Sequence, residues 1–169
     1  RALVADRGDT WFINGQPLAD VQALIADLRR RERPAGWAPL QFGLSAFVVA
    51  RETDEEARAE HARLLALAAL DAPLRAANKP NIDPKAVMFQ TARKSPRVGS
   101  NGGTAAELVG SYDSVARRIE AFHAAGIELF MLQFQPFEAE MRRFADHVLP
   151  RVAGAAARSL EARADAALA

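Results

Sequence analysis

The side chains able to do chemistry in this sequence are few, and most sit where strand-like segments end. Asn14-Gly15, Arg51-Glu52, Gly110-Ser111 and Gln133-Phe134-Gln135 follow apolar runs, and Val98-Gly99-Ser100-Asn101-Gly102-Gly103-Thr104 forms one glycine-rich loop. Glycines let backbone amides approach an anion or let a segment hinge; the same composition also makes a loop with no ligand at all. Lys94 and Arg97 just before it could supply positive charge. Gln133 and Gln135 alternate with Phe134, which points polar and aromatic groups to opposite faces and either lines a pocket or merely ends a strand. The three histidines, His61, His123 and His147, fall in helix-like segments without a second ligand at metal spacing, so no metal site is expected. Nucleophile-elbow, P-loop and dinucleotide-binding motifs are absent.

The elements that must position these groups alternate strand-like and helix-like. Arg1 to Arg7 reads as a helix stopped by Gly8, Thr10 to Ile13 as a buried strand, and Pro17 as the first turn of a helix facing inward with Leu18, Val21, Leu24, Ile25 and Leu28. The run Arg29 to Arg33 suits a solvated helix end. Phe42 to Val49 is the strongest strand, and Thr53 with Glu56 has the spacing of a capping box opening a helix to about Leu70. Periodicity then disappears from Asp71 to Thr104, as expected of a functional insertion or a disordered segment. It resumes with a short strand at 106–109, Ser111 as an N-cap, and a helix carrying Val115, Ile119 and Phe122 inward until Gly126. Ile127 to Phe134 is the last strand, and the helix from Pro136 should turn Phe137, Met141, Phe144 and Val148 inward. Residues 153–169 read as a helical or frayed tail.

Four strand–helix units predict an α/β fold with a parallel sheet. A closed eight-stranded barrel takes about 250 residues, more than the 169 present. Half a barrel or an open four-stranded sheet remain. Lys+Arg 22 against Asp+Glu 21 leaves a net charge of +1, which argues against nucleic acid or an anionic membrane as partner. No apolar run approaches the roughly 18 residues of a membrane span. The absence of cysteine excludes disulfides and thiolate chemistry and agrees with a cytoplasmic protein. Arg1 is neither a start codon product nor the head of a signal peptide, so an upstream part is expected.

The stretches Ala5 to Phe12, Phe42 to Ala57 and Leu108 through Phe144-Ala145 to Leu149-Pro150 resemble, in order and spacing, the flavin-dependent luciferase-like monooxygenases, in the branch of alkanesulfonate and dimethyl sulfone monooxygenases. The resemblance implies the C-terminal half of a TIM (β/α)8 barrel over residues 1–152, with 71–104 as an insertion acting as an active-site lid. It implies reduced FMN from a separate NAD(P)H-dependent reductase, dioxygen as co-substrate, and oxidation of a small sulfur compound with C–S cleavage. Pocket candidates are Asn14, Ser45, Phe47, Ser100, Asn101, Gln133 and Gln135; lid candidates are Arg97, Gly99, Gly102, Gly103 and Thr104. No catalytic residue is named, since much of the flavin site should lie upstream.

Departures from the branch are informative. Ser45 and Phe47 stand where alkanesulfonate enzymes carry Arg and His, Gln135 where they carry Tyr, and Ser100 or Asn101 where their lid has an Arg. A pocket without fixed cations suits a neutral substrate such as dimethyl sulfone better than an anionic sulfonate. Ser45 and the glutamines would then be hydrogen-bonding groups and Phe47 a wall. Two other readings stay open: another luciferase-like enzyme, including an alkanesulfonate or F420-dependent one, and a non-catalytic packing module. Unpaired parallel edges in half a barrel also predict a homo-oligomer.

Overall fold

A computed structural model describes residues 1–78 and 97–152; Lys94, most of the 71–104 insertion and the 153–169 tail lie outside them. Three parallel strands form the main sheet, β1 (Thr10–Asn14), β2 (Gln41–Phe47) and β5 (Leu129–Gln133), in the order β1-β2-β5. Beyond Phe47 the central strand changes partner. The Val48 amide still donates to Gln133 O, but the Val49 amide donates to Leu108 O, and β3 (Val49–Arg51) then pairs in parallel with β4 (Val109–Ser111). All four expected strand–helix units are therefore present, yet the third strand joins only the far end of the second. Sequence patterning assigns strands but not their neighbours.

Helices α1 (Ala2–Arg7), α2 (Leu18–Arg29), α3 (Asp54–Ala69), α5 (Tyr112–Ala124) and α6 (Phe137–His147) fall on the expected segments. Val21, Ile25 and Leu28 of α2 and Val115, Ile119 and Phe122 of α5 meet Ile13, Phe42, Leu44 and Ala46 of the sheet in one core, as their helical spacing requires. Thr53 makes the capping box with Glu56, and the Ser111 hydroxyl accepts from the Ser114 amide to start α5. Arg33 is more than a solvated helix end: its guanidinium donates to Ala5 O at 2.9 Å and Gly8 O at 3.0 Å, satisfying carbonyls where α1 stops.

Two expectations need correction. The stretch after Asp71 is not wholly irregular, because α4 spans Ala72–Asn78, with Pro73 in the first turn where its missing N–H costs nothing. Helix α6 buries Phe144 and Val148 but leaves Phe137 62% and Met141 40% exposed. Its inward place is taken by Glu140, whose carboxylate binds Arg51 at 2.6 Å. The Arg51–Glu140 ion pair thus occupies the inward side of the helix where part of its apolar stripe was expected.

Candidate functional site

Strand alternation divides the sheet into two faces. Trp11, Ile13, Phe42, Leu44, Ala46, Phe130 and Leu132 belong to the helix-covered core. The register Phe12↔Gly43↔Leu129 and Asn14↔Ser45↔Met131 puts the alternate residues on the other, inner face. Gly43 is required there, since a Cβ on it would lie 2.5 Å from the Phe12 ring. Thr10, Phe12, Asn14, Gln41, Gly43, Ser45, Phe47, Leu129, Met131 and Gln133 share this face, and none carries a charge.

At the C-terminal ends of these strands the glycine-rich loop folds down onto the sheet. The Gly15 amide donates to Asn101 O at 2.8 Å, and a Cβ on Gly102, whose φ is +90°, would run into the Gly15 backbone. Asn101 itself has φ +49°, a region Asn tolerates better than most residues. Gly99 lies against Phe47, where a Cβ would come within 2.6 Å of the ring. The turn is closed by Val98 and Thr104: each backbone amide finds an oxygen of the other residue, at 3.1 Å and 3.0 Å. The Thr104 hydroxyl also meets His61 Nε2 at 3.1 Å, which ties α3 to the loop, and burial lowers the His61 pKa.

Ser45, Ser100 and Gln133 meet in one hydrogen-bonded group. Gln133 Nε2 donates to Ser45 Oγ at 3.1 Å, and Gln133 Oε1 accepts from the Ser100 hydroxyl at 3.1 Å. Ser45 is buried. Phe47 is buried too, packed with Val49, Leu64 and Val98, a wall between sheet, helix and loop. Asn14 is half-buried at the open side of this group. Gln135 stands apart, exposed beyond the strand end, while Phe134 packs back on Phe144 at 5.5 Å between ring centroids. The structure thus brings together six of the seven pocket candidates and the loop residues from Gly99 to Thr104.

Sequence reading missed a second cluster. Arg51, at the end of β3, binds Glu140 and Glu60; Glu60 also binds Arg63, and Arg143 lies 3.5 Å from Glu140. Arg51, Glu60, Arg63 and Arg143, with Tyr112, Glu52 and Glu56, line an open cleft of about 530 Å³. Arg51, Glu60, Arg63 and Arg143 are engaged in ion pairs, which tie the end of β3 to α3 and α6. Arg51 reaches Glu60 and Glu140 through contacts between separate elements, which spacing along the chain cannot show. Beside it, Asp54 accepts from the Ser111 amide at 2.6 Å, and this bond with those of Ser114 and Ser111 holds its carboxyl below the usual range.

Parallel strands, each followed by a helix, define part of a (β/α) barrel, and the polar groups and folded loop gather at the strand ends where such barrels carry their active sites. The chain belongs to the luciferase-like monooxygenase family, whose model matches residues 1–129. It is 31% identical to an FMNH2-dependent dimethylsulfone monooxygenase of Pseudomonas fluorescens (strain Pf0-1), over 99% of this chain and 46% of that protein. A protein of the same name from Pseudomonas putida is 32% identical over 90% of this chain and 43% of its own length. A sulfoquinovose monooxygenase of Novosphingobium aromaticivorans is 30% identical over 90% and 46%. The crystal structure of long-chain alkane monooxygenase (LadA) superposes with a TM-score of 0.64 at 16% identity, covering 92% of this chain and 38% of that one. The chain spans less than half the length of these relatives.

Proposed function

We propose that this chain forms the C-terminal half of the barrel of an FMNH2-dependent monooxygenase that oxidises a small, uncharged organosulfur compound, such as dimethyl sulfone, with C–S cleavage. The observation that carries this reading is the inner sheet face, which gathers hydrogen-bonding groups at its strand ends and has no charged side chain. An anionic sulfonate entering it would lose water and gain no cation from the described residues of this face. Two relatives named for dimethylsulfone support the substrate class.

The inner face also fits a flat conjugated ring. Phe12, Leu129 and Met131 offer exposed apolar surface, and the Asn14 amide has donor and acceptor groups without a bond to any described residue. Reduced flavin, when bound, supplies the two electrons with which one oxygen atom of dioxygen enters the substrate and the other leaves as water. The chain's own residues would orient the substrate, wall the site through Phe47 and exclude water with the folded loop. A separate NAD(P)H-dependent FMN reductase is the partner this cofactor use implies.

Anaerobic titration with reduced and oxidised FMN, followed by flavin fluorescence, tests binding with the chain alone and with the N-terminal half of a related enzyme added; dioxygen and dimethyl sulfone are then admitted to the reduced samples to measure turnover. Flavin binding and dimethyl sulfone oxidation in the combined sample are expected. Flavin bound without turnover of any neutral sulfur compound would defeat the substrate class, and no flavin binding in either sample would defeat the flavin role.

A second reading has one observation in its favour. Phe12, Leu129 and Met131 remain 41–46% exposed on a sheet face that barrels normally cover, which suits an association surface. Gel filtration at a dimer's mass, with no flavin retained, would favour it.

A further inference from the structure

We infer that Gln133 is a positioning residue: its amide clasps the glycine-rich loop to the sheet and leaves the Ser45 hydroxyl to donate to an uncharged oxygen of the ligand. A glutamine side chain offers two acceptor sites on oxygen and two N–H donors. Here Gln133 Oε1 accepts from the Ser100 amide and the Ser100 hydroxyl, each at 3.1 Å. Gln133 Nε2 donates to Ser100 O at 3.2 Å and to Ser45 Oγ at 3.1 Å. A backbone N–H can only donate and a carbonyl only accept, so exchanging the amide's oxygen and nitrogen would break both bonds to the Ser100 backbone. The orientation is therefore fixed by the loop itself.

Two consequences follow from this saturation. Gln133 has no group left for a ligand, although it stands in the middle of the candidate pocket. Ser45 must accept from Gln133, so its single proton is directed elsewhere, and no described residue accepts it. Leaving a buried donor unmatched is unfavourable, and Ser45 is only 2% exposed. Its register neighbour Asn14 adds a side-chain amide without a hydrogen bond among the described residues. With no cation on this face, the acceptor these donors fit is an S=O or C=O oxygen of a neutral molecule. For the substrate class alone, this rests on the monooxygenase reading above.

The test uses the full 169-residue chain, reading Ser100 amide exchange and a dimethyl sulfone titration by NMR. Gln133→Leu should speed Ser100 exchange by about tenfold as the clasp is lost. Ser45→Ala should leave that exchange slow and weaken sulfone binding about three- to tenfold, the loss of one hydrogen bond. Gln133→Glu separates the two effects: its carboxylate still accepts from the Ser100 amide and hydroxyl but loses the donor to Ser100 O and draws the Ser45 proton inward, so Ser100 exchange should rise less than in Gln133→Leu while sulfone binding falls as in Ser45→Ala. A merely structural glutamine would not produce that split. Unchanged Ser100 exchange in Gln133→Leu, absence of sulfone binding in the parent chain, or binding indifferent to Ser45→Ala overturns the assignment. Sulfone binding with the expected pattern, but no oxidation by the FMN-loaded completed barrel, would uphold it while the monooxygenase reading fell.

Discussion

At the scale of single residues, His61 gives the loop a dependence on pH. Burial favours the neutral ring, so its pKa lies below the ordinary 6.5. The sign follows from linkage: a histidine with a depressed folded-state pKa contributes stability above the unfolded value and loses it as pH falls. The parent chain should therefore lose stability relative to His61→Gln as pH falls through about 6.5 toward the lowered folded-state value, as measured by denaturant titration. Parallel curves for the two proteins would show that the ring's burial carries no cost. Ser45 leads to a second expectation. In the completed barrel, Ser45→Arg puts a cation on the uncharged inner face and should move kcat/KM toward alkanesulfonates, relative to dimethyl sulfone, by about tenfold or more; unchanged selectivity would place Ser45 away from the substrate. The pairing of Ser45 with Gln133 was legible in part, because strand alternation marks both as facing one side. That Gln133 is consumed by Ser100 was not, since nothing along the chain reports a bond between residues 33 apart.

At the scale of elements, the capped helices were the most legible features. A capping box is local, and Thr53 and Glu56 build it from side chains three positions apart. Thr53→Ala should cost about 1 kcal/mol of stability, read as a shift in denaturation midpoint with unchanged slope. The glycine loop obeys a stricter local rule. Gly103 has φ +52°, and a Cβ there would strike the Val98 carbonyl. Gly103→Ala should therefore destabilise the chain by more than about 1 kcal/mol and speed proteolysis within 97–104; a protein as stable and as resistant as the parent would refute the close approach. Helix α6 shows the opposite case. Its apolar spacing promised Phe137 and Met141 to the core, but Glu140 faces inward and pairs with Arg51, a partner brought up by the fold from another element.

At the scale of the whole molecule, the alternation of strands and helices was enough to indicate a parallel sheet, half a barrel or an open four-stranded one, and the family resemblance pointed to the barrel. The order of the strands was not legible, because a parallel neighbour is chosen across a long crossover and by which edge is free. The site depends on that choice: β2 supplies Ser45 and Phe47, β1 supplies Asn14, and β5 supplies Gln133. The same central position of β2 bears on how the chain acquires its structure during synthesis. Its contact with β1 joins residues 31 apart, as Thr10 and Gln41 show, whereas Gln133 reaches Ser45 across 88. Closing the larger loop costs more chain entropy, so β1 and β2 should gain exchange protection before β5 in a pulse-labelled refolding experiment, and simultaneous protection would argue against this order. A nascent chain released short of Gln133 would carry the hydroxyl of the site without the amide that directs it. Under the proposal above, ligand recognition through Ser45 would thus wait until β5 has left the ribosome.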